Sequence, residues 1–233
     1  MRVKIRKALL SDIPQIRALE EMVWKQTPAT EEMLVSRIKT CPEGNVVAVV
    51  RDADMHRIAG YFCIIFIDYN VEEPTKKSWL EITDNGICAK THSKNNLFGF
   101  GVTMTVDERY QNIGIGARLM IYGWDFAFCR NNKKGGIAIS RIPKYHKYKH
   151  ELTVEEYLNL KLDDGRVLDP EIRFYLREGY KVISIIPDYI EDEESCNYGV
   201  AMLIKNPFYN YPSFIRYPIG FLIKMIGPRA LGL

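Results

Sequence analysis

One stretch, residues 97–132, limits what this chain can fold into more than any other. It opens with an apolar run, Leu97-Phe98-Gly99-Phe100-Gly101-Val102-Thr103-Met104-Thr105-Val106, followed by a polar turn, Asp107-Glu108-Arg109-Tyr110. Gln111-Asn112-Ile113-Gly114-Ile115-Gly116 comes next, and then a helical run from Ala117 to about Cys129. The order reads as strand, tight glycine loop, helix. Glycine lets the main chain approach a ligand closely. The unpaired N–H groups of such a loop, and the helix N-terminus behind it, favour a phosphate or pyrophosphate. There is no Gly-Lys-Ser/Thr and no third glycine at the dinucleotide spacing, which disfavours both nucleotide-binding loops of that kind. Alone, the motif is also compatible with a structural joint that binds nothing.

The elements around it form a recognisable order. Val3 to Lys7 alternates like a half-buried strand. Ser11 reads as an N-cap, with Ile13, Ile16, Leu19 and Val23 on one helical face. Thr30, Glu31 and Glu32 open a second helix that stops before Pro42. Strands at 45–51 and 57–67, joined by a polar turn at 52–56, read as an antiparallel hairpin. The segment 75–83 suits either a short helix closed by a left-handed Gly86 or a strand built on Trp79, Leu80 and Ile82. A strand at 136–142 precedes a long polar excursion, 143–168, in which Thr153 and Glu156 form a capping box for a helix over 154–162. Asp169-Pro170 opens a further helix that Gly179 ends. Strands at 180–187 and 197–205 flank an acidic turn, and an apolar, acid-free tail, 206–233, closes the chain.

Composition narrows the function classes. With 233 residues, 47% apolar and 26% charged, the chain suits one generous globular domain, and a net charge of +3 argues against nucleic acid. Five scattered cysteines with no Cys-x-x-Cys pair read as reduced thiols in a cytoplasmic protein, without a disulfide frame or a metal site. The N-terminus alternates charged and apolar residues, unlike a signal peptide. No uncharged apolar run reaches the roughly 18 residues a transmembrane helix needs.

The Gln-x-x-Gly-x-Gly order at 111–116, after a strand ending Met-Thr-Val, resembles the acyl-CoA loop of the GNAT superfamily of CoA-dependent N-acetyltransferases. A second motif, Phe174-Tyr175-Leu176-Arg177-Glu178-Gly179-Tyr180, resembles that family's Tyr-x-x-x-Gly-Phe pattern. The resemblance covers about 3–205. It implies an α/β (α+β) GNAT fold: a central mixed, mostly antiparallel sheet flanked by helices, here with a long insertion. The domain would span 1–205, with the insertion at about 143–168 and the tail at 206–233. A narrower likeness, carried by Arg141-Ile142-Pro143, Tyr145-His146, Asp169-Pro170, Pro187-Asp188-Tyr189 and Ser195, is to the GNAT module that precedes a nitrilase-like domain in some bacterial proteins.

The resemblance also implies roles. Met104, Thr105 and Val106 would offer main-chain groups to pantetheine and the thioester, and Gln111, Asn112, Ile113, Gly114, Ile115 and Gly116 would hold the pyrophosphate. Tyr175 would be the general acid that meets the leaving thiolate. Some members carry a base on the central strand, but 97–106 holds no acid, so Glu81, Asp84, His92 and His146 stay open as bases, with Glu81 placed first. The implied activity is direct transfer of an acetyl group from acetyl-CoA to a primary amine on a small molecule or peptide, with no metal. The alternative is a non-catalytic acyl-CoA-binding module that regulates a partner. Lys144, His146, Lys147, Lys149 and His150, interleaved with Tyr145 and Tyr148, would screen the CoA 3′-phosphate, steer an anionic substrate or form a solvated face. The tail would pack on its own domain, form a homodimer contact or lie on a membrane surface.

Overall fold

The computed structural model describes residues 2–52 and 55–226. A seven-stranded sheet in the order β1-β2-β3-β4-β5-β7-β6 organises the chain. Its strands are β1 (Arg2–Lys7), β2 (Asn45–Asp52), β3 (Met55–Ile67), β4 (Phe98–Val106), β5 (Gly135–Ser140), β6 (Lys181–Ile186) and β7 (Gly199–Lys205). All neighbours are antiparallel except β4 and β5, which run parallel. The hairpin of β2 and β3 forms as expected, although the tip of its turn, 53–54, lies outside the described residues.

The parallel pair shapes the molecule. It holds over three positions only, from Phe98 opposite Gly135 to Phe100 opposite Ile137. Beyond Phe100, β4 continues along β3 to Val106 while β5 continues along β7, so the sheet opens between them. A register shift opposite Cys63 and Ile64 leaves Val102 as an extra residue in β4, a bulge at the start of the opening. The Trp79 indole N–H donates to the Val102 carbonyl there, at 2.9 Å.

Helices cover both faces. These are α1 (Ile13–Val23), α2 (Glu31–Thr40), α3 (Trp79–Thr83), α4 (Ile115–Trp124), α5 (Val154–Asn159), α6 (Pro170–Arg177) and α7 (Ser213–Ile226). A side chain on Gly60 would meet Ile115 and Leu119 of α4, whereas Thr105, opposite Tyr61, bonds to Glu20 of α1. Successive strand residues face opposite ways, so α1 and α4 lie on opposite faces of the sheet. The core between them is apolar and closed, with Ile16, Leu34, Ile65, Phe100, Leu119 and Ile137 almost wholly buried.

Several local readings are refined. Entry to α1 is a tight turn, Leu10–Asp12, held by Asp12 rather than Ser11: its carboxylate accepts from the Leu9 N–H at 2.8 Å and pairs with Arg6. The ambiguous segment is helical at α3, and its left-handed cap is Asp84, followed by Asn85 and Gly86, which also have positive φ. The central helix begins at Ile115 and changes to a π-helical turn over Asp125–Arg130. The wider turn brings four consecutive residues, Phe126 to Cys129, into the core. In the excursion α5 is shorter than expected, because Lys161 turns back to pair with Val167. The excursion is packed rather than loose: Tyr145 and Tyr157 are buried, and the Tyr157 hydroxyl donates to Asp169 at 2.8 Å.

The described part of the tail packs back on its own domain, while 227–233 lies outside the described residues. Buried Arg216 of α7 donates to the Phe128 and Cys129 carbonyls near the end of the π-helical turn, and Lys224 donates to Asp125 at 2.7 Å. Gly220 makes this approach close: a Cβ there would lie 2.1 Å from the Asp125 Oδ1 and 2.8 Å from the Cys129 Cβ. Gly220→Val should therefore lever α7 off the domain and cost about 2 kcal/mol, the scale of overpacking, read as a lower urea midpoint. An unchanged midpoint would show that α7 contributes nothing to stability.

Candidate active site

The glycine loop joins β4 to α4 as an open cradle. Asn112 and Gly114 have positive φ, 61° and 84°. The Arg118 N–H donates to the Gly114 carbonyl at 3.1 Å, beginning the helical ladder. The N–H groups just before it have no intrahelical acceptor and carry the positive end of the helix dipole. The loop borders a cleft of about 1270 Å³ that extends into the opening between β4 and β5. Of the expected cofactor residues, Met104, Val106, Gln111 and Asn112 line this cleft, as do Gly114, Ile115 and Gly116. Thr105 turns its side chain to the α1 face, and Ile113 is solvent-exposed. Gly114→Ala would add no clash but would strain the positive φ. Acetyl-CoA binding measured by calorimetry should weaken about tenfold, since about 1.4 kcal/mol of lost amide alignment suffices for that.

Helix α6 forms the facing wall. Asp169 caps it, accepting from the Glu171 and Ile172 N–H groups at 2.9 and 3.1 Å, with Pro170 in the first turn. Glu171 and Tyr175 lie four residues apart, on one face, and both line the cleft. The Tyr175 ring packs edge-on against Phe174 and Tyr180, each 5.3 Å away. Burial pushes the Tyr175 hydroxyl well above the usual phenol range, so it stays protonated at neutral pH. Burial also pushes the Glu171 carboxyl up to about 7, a rise that the Arg141 charge opposes and Asp169, Asp192 and Glu194 reinforce.

Arg141, which follows β5, fixes the far side. Its guanidinium holds Asp192 with two bonds, 2.7 and 2.8 Å, reaches Glu194 at 2.8 Å and sits 5.2 Å over the Trp24 ring. Two carboxylates of the acidic turn are thus neutralised within the protein. The floor holds a residue that the sequence reading passed over. Glu20 of α1, 2% exposed, lines the cleft and accepts hydrogen bonds from the Thr105 and Thr103 hydroxyls. Burial raises its carboxyl above the usual range. The signal was present, because Glu20 stands four residues after Ile16 and three before Val23, an acid inside the apolar stripe.

The four bases considered from sequence are placed elsewhere. Glu81 is exposed in the capping box of α3, where its carboxylate accepts from the Ser78 N–H and hydroxyl, both at 2.8 Å. Those bonds hold its carboxyl below the usual range and occupy it as a helix cap, away from the cleft lining. Asp84 closes the same helix. His92 accepts from the Phe66 N–H at 3.0 Å and is pushed down by burial. The His146 Nδ1 faces the Pro143 and Glu194 carbonyls at 3.0 and 3.2 Å, so it carries the proton. Among the described residues, none of the four lines the cleft and no metal-ligating cluster forms.

No protein-family model matches the chain. An uncharacterized N-acetyltransferase, YkwB of Bacillus subtilis, is 34% identical over 196 residues, covering 83% of this chain and 80% of that protein. The probable hydrolase YhcX of the same organism is 30% identical over 207 residues, which span 88% of this chain but 39% of the hydrolase. That match does not establish the narrower likeness to a module ahead of a nitrilase-like domain. Among solved structures, the loading GNATL domain of CurA from Lyngbya majuscula superposes with a TM-score of 0.75 at 22% identity, over 88% of this chain and 98% of that one. The GphF GNAT-like decarboxylase in complex with isobutyryl-CoA gives 0.72 at 23% identity, over 87% and 98%. The opened sheet, the glycine loop at its mouth and the kinship with YkwB lead to one conclusion: this chain belongs to the GNAT N-acetyltransferase family.

Proposed function

We propose that the protein moves an acetyl group from acetyl-CoA to a primary amine of a small molecule or peptide, by direct transfer within one cleft. The observation that carries this reading is the continuity of the cleft, from the glycine loop to Tyr175 and Glu171. The amides of 111–116 hold the diphosphate, and the main chain of Met104, Thr105 and Val106, freed where β4 leaves β5, guides pantetheine. Glu171, poised at about 7, accepts the proton the amine loses. The amine nitrogen bonds to the thioester carbon, the C–S bond breaks, and Tyr175 donates to the departing sulfur. Burial that penalises the phenolate penalises the thiolate as well, so the two stay matched for proton transfer. Glu171 then releases its proton to solvent and Tyr175 takes one back, so the cycle closes.

The cytoplasm is the compartment we infer, on five free cysteines, four of them buried. None of the helices searched among the described residues is long and apolar enough to cross a membrane. Calorimetry with acetyl-CoA, followed by a free-CoA release assay across amino acids, polyamines, aminoglycosides and peptide N-termini, tests the reading. Heat on acetyl-CoA addition and release with one amine class are expected. No heat with folded protein would overturn it, and tight binding with silence across all amines would favour a non-catalytic acyl-CoA-binding module.

A further inference from the structure

We propose that the deep end of the cleft binds a carboxylate on the substrate, with Arg37 as its anchor. This rests on the acyl-transfer reading and names the substrate class of the same cleft. Arg37 of α2 lines the cleft yet is 1% exposed. Its Nε donates to the Gly86 carbonyl at 2.8 Å, its Nη2 reaches the Met33 sulfur at 3.9 Å, and the Cys88 thiol lies beside the guanidinium. Its Nη1 is buried with no hydrogen-bond partner, and among the described residues no carboxylate forms an ion pair with it. A buried guanidinium without a counter-anion is strongly unfavourable, and its planar fork matches a carboxylate.

The surroundings point the same way. The guanidinium sits 5.5 Å from the Trp79 ring, and that indole is tied to the Val102 bulge where the sheet opens. Buried Glu20 shares this end of the cleft and senses the Arg37 charge without bonding to it, its carboxylate taken up by Thr103 and Thr105. An unjoined acid and base at one end of a cavity suit a ligand with both an amine and a carboxylate. The carboxylate comes either from the acceptor, as an amino acid or peptide terminus, or from a dicarboxylic acyl chain on CoA.

Two arms separate the sources. In the first, CoA release from acetyl-CoA is compared between amino acids and their carboxamides. In the second, succinyl-CoA is compared with acetyl-CoA on a neutral alkylamine. Calorimetry of N-acetyl amino acids against their amides in the presence of CoA, and of succinyl-CoA against acetyl-CoA, reads binding without turnover. One arm should favour the carboxylate at least about thirtyfold in kcat/KM, as a buried charge pair supplies. Arg37→Met should erase that preference and Arg37→Lys should keep part of it, with circular dichroism and the acetyl-CoA heat checking the fold. If Arg37→Met does not fold, the wild-type comparisons decide. Indifference to the carboxylate in both arms and in binding would overturn the proposal and leave a resident water at Nη1. Turnover without selectivity sinks the anchor alone. Selective binding without turnover sinks acyl transfer and keeps the anchor.

Discussion

Tyr175→Phe should lower kcat about a thousandfold while leaving the acetyl-CoA dissociation constant within a factor of two. General acid catalysis at a leaving group supplies about 10²–10⁴, and the water-poor setting of Tyr175 argues for the middle of that range. The ring is held by Phe174 and Tyr180, and among the described residues no hydrogen bond from its hydroxyl anchors it, so the substitution should leave the fold intact. The loss should fall on kcat and kcat/KM together, the signature of an interaction made only in the transition state. Steady-state kinetics beside calorimetry would measure both quantities. A change confined to KM would remove Tyr175 from the chemistry and make it a wall of the cleft.

Glu171→Gln should cost about a hundredfold in kcat at pH 8 and flatten the pH profile. As a base, Glu171 works when deprotonated, so wild-type activity should rise with pH through about 7, and the variant should lose that rise. The same group leaves a mark on stability. Its folded value, about 7, is raised from an ordinary 4.5, so the folded chain binds the proton more tightly than the unfolded one. That stabilisation is fully present below about 4.5 and is lost as pH rises through about 7, by about 3 kcal/mol for a shift of this size. Glutamine cannot ionise, so the variant should equal the wild type at pH 4 and exceed it at pH 8. Urea unfolding at the two pH values measures the difference. Arg141 bears on the Glu171 charge from just after β5, Asp169 from the cap of α6, and Asp192 and Glu194 from the turn before β7. A wild-type profile flat between pH 6 and 8 would show that these neighbours cancel the burial.

Much of the frame was legible in the chain because it is written in local chemistry. The glycine loop at 111–116, the cap Asp169-Pro170, the capping box of Thr153 and Glu156, and the hairpin of β2 and β3 depend on residues a few positions apart. Their geometry follows from backbone preference and short-range hydrogen bonds, which a linear reading can follow. The place of Tyr175 on α6 was also within reach, since that helix and its glycine end are written in neighbouring residues.

The charged furniture of the cleft was not legible in the same way. Glu20 meets Thr105 across 85 positions, Arg37 meets the Gly86 carbonyl across 49, and Arg141 meets Asp192 across 51. Whether an acid becomes a buried site group or a solvated cap depends on which surfaces fold over it. Glu81 and Glu171 differ little in sequence setting, each in the first turn of a short helix. One caps its own helix in water, while the other stands half-buried in the wall of the cleft and rises to about 7. By itself the sequence determined the elements, their order and the glycine loop, because these arise from neighbours along the chain. Only the tertiary structure decided which ionisable groups are dry, paired or left waiting for a ligand, because desolvation and long-range pairing exist only once distant segments pack together.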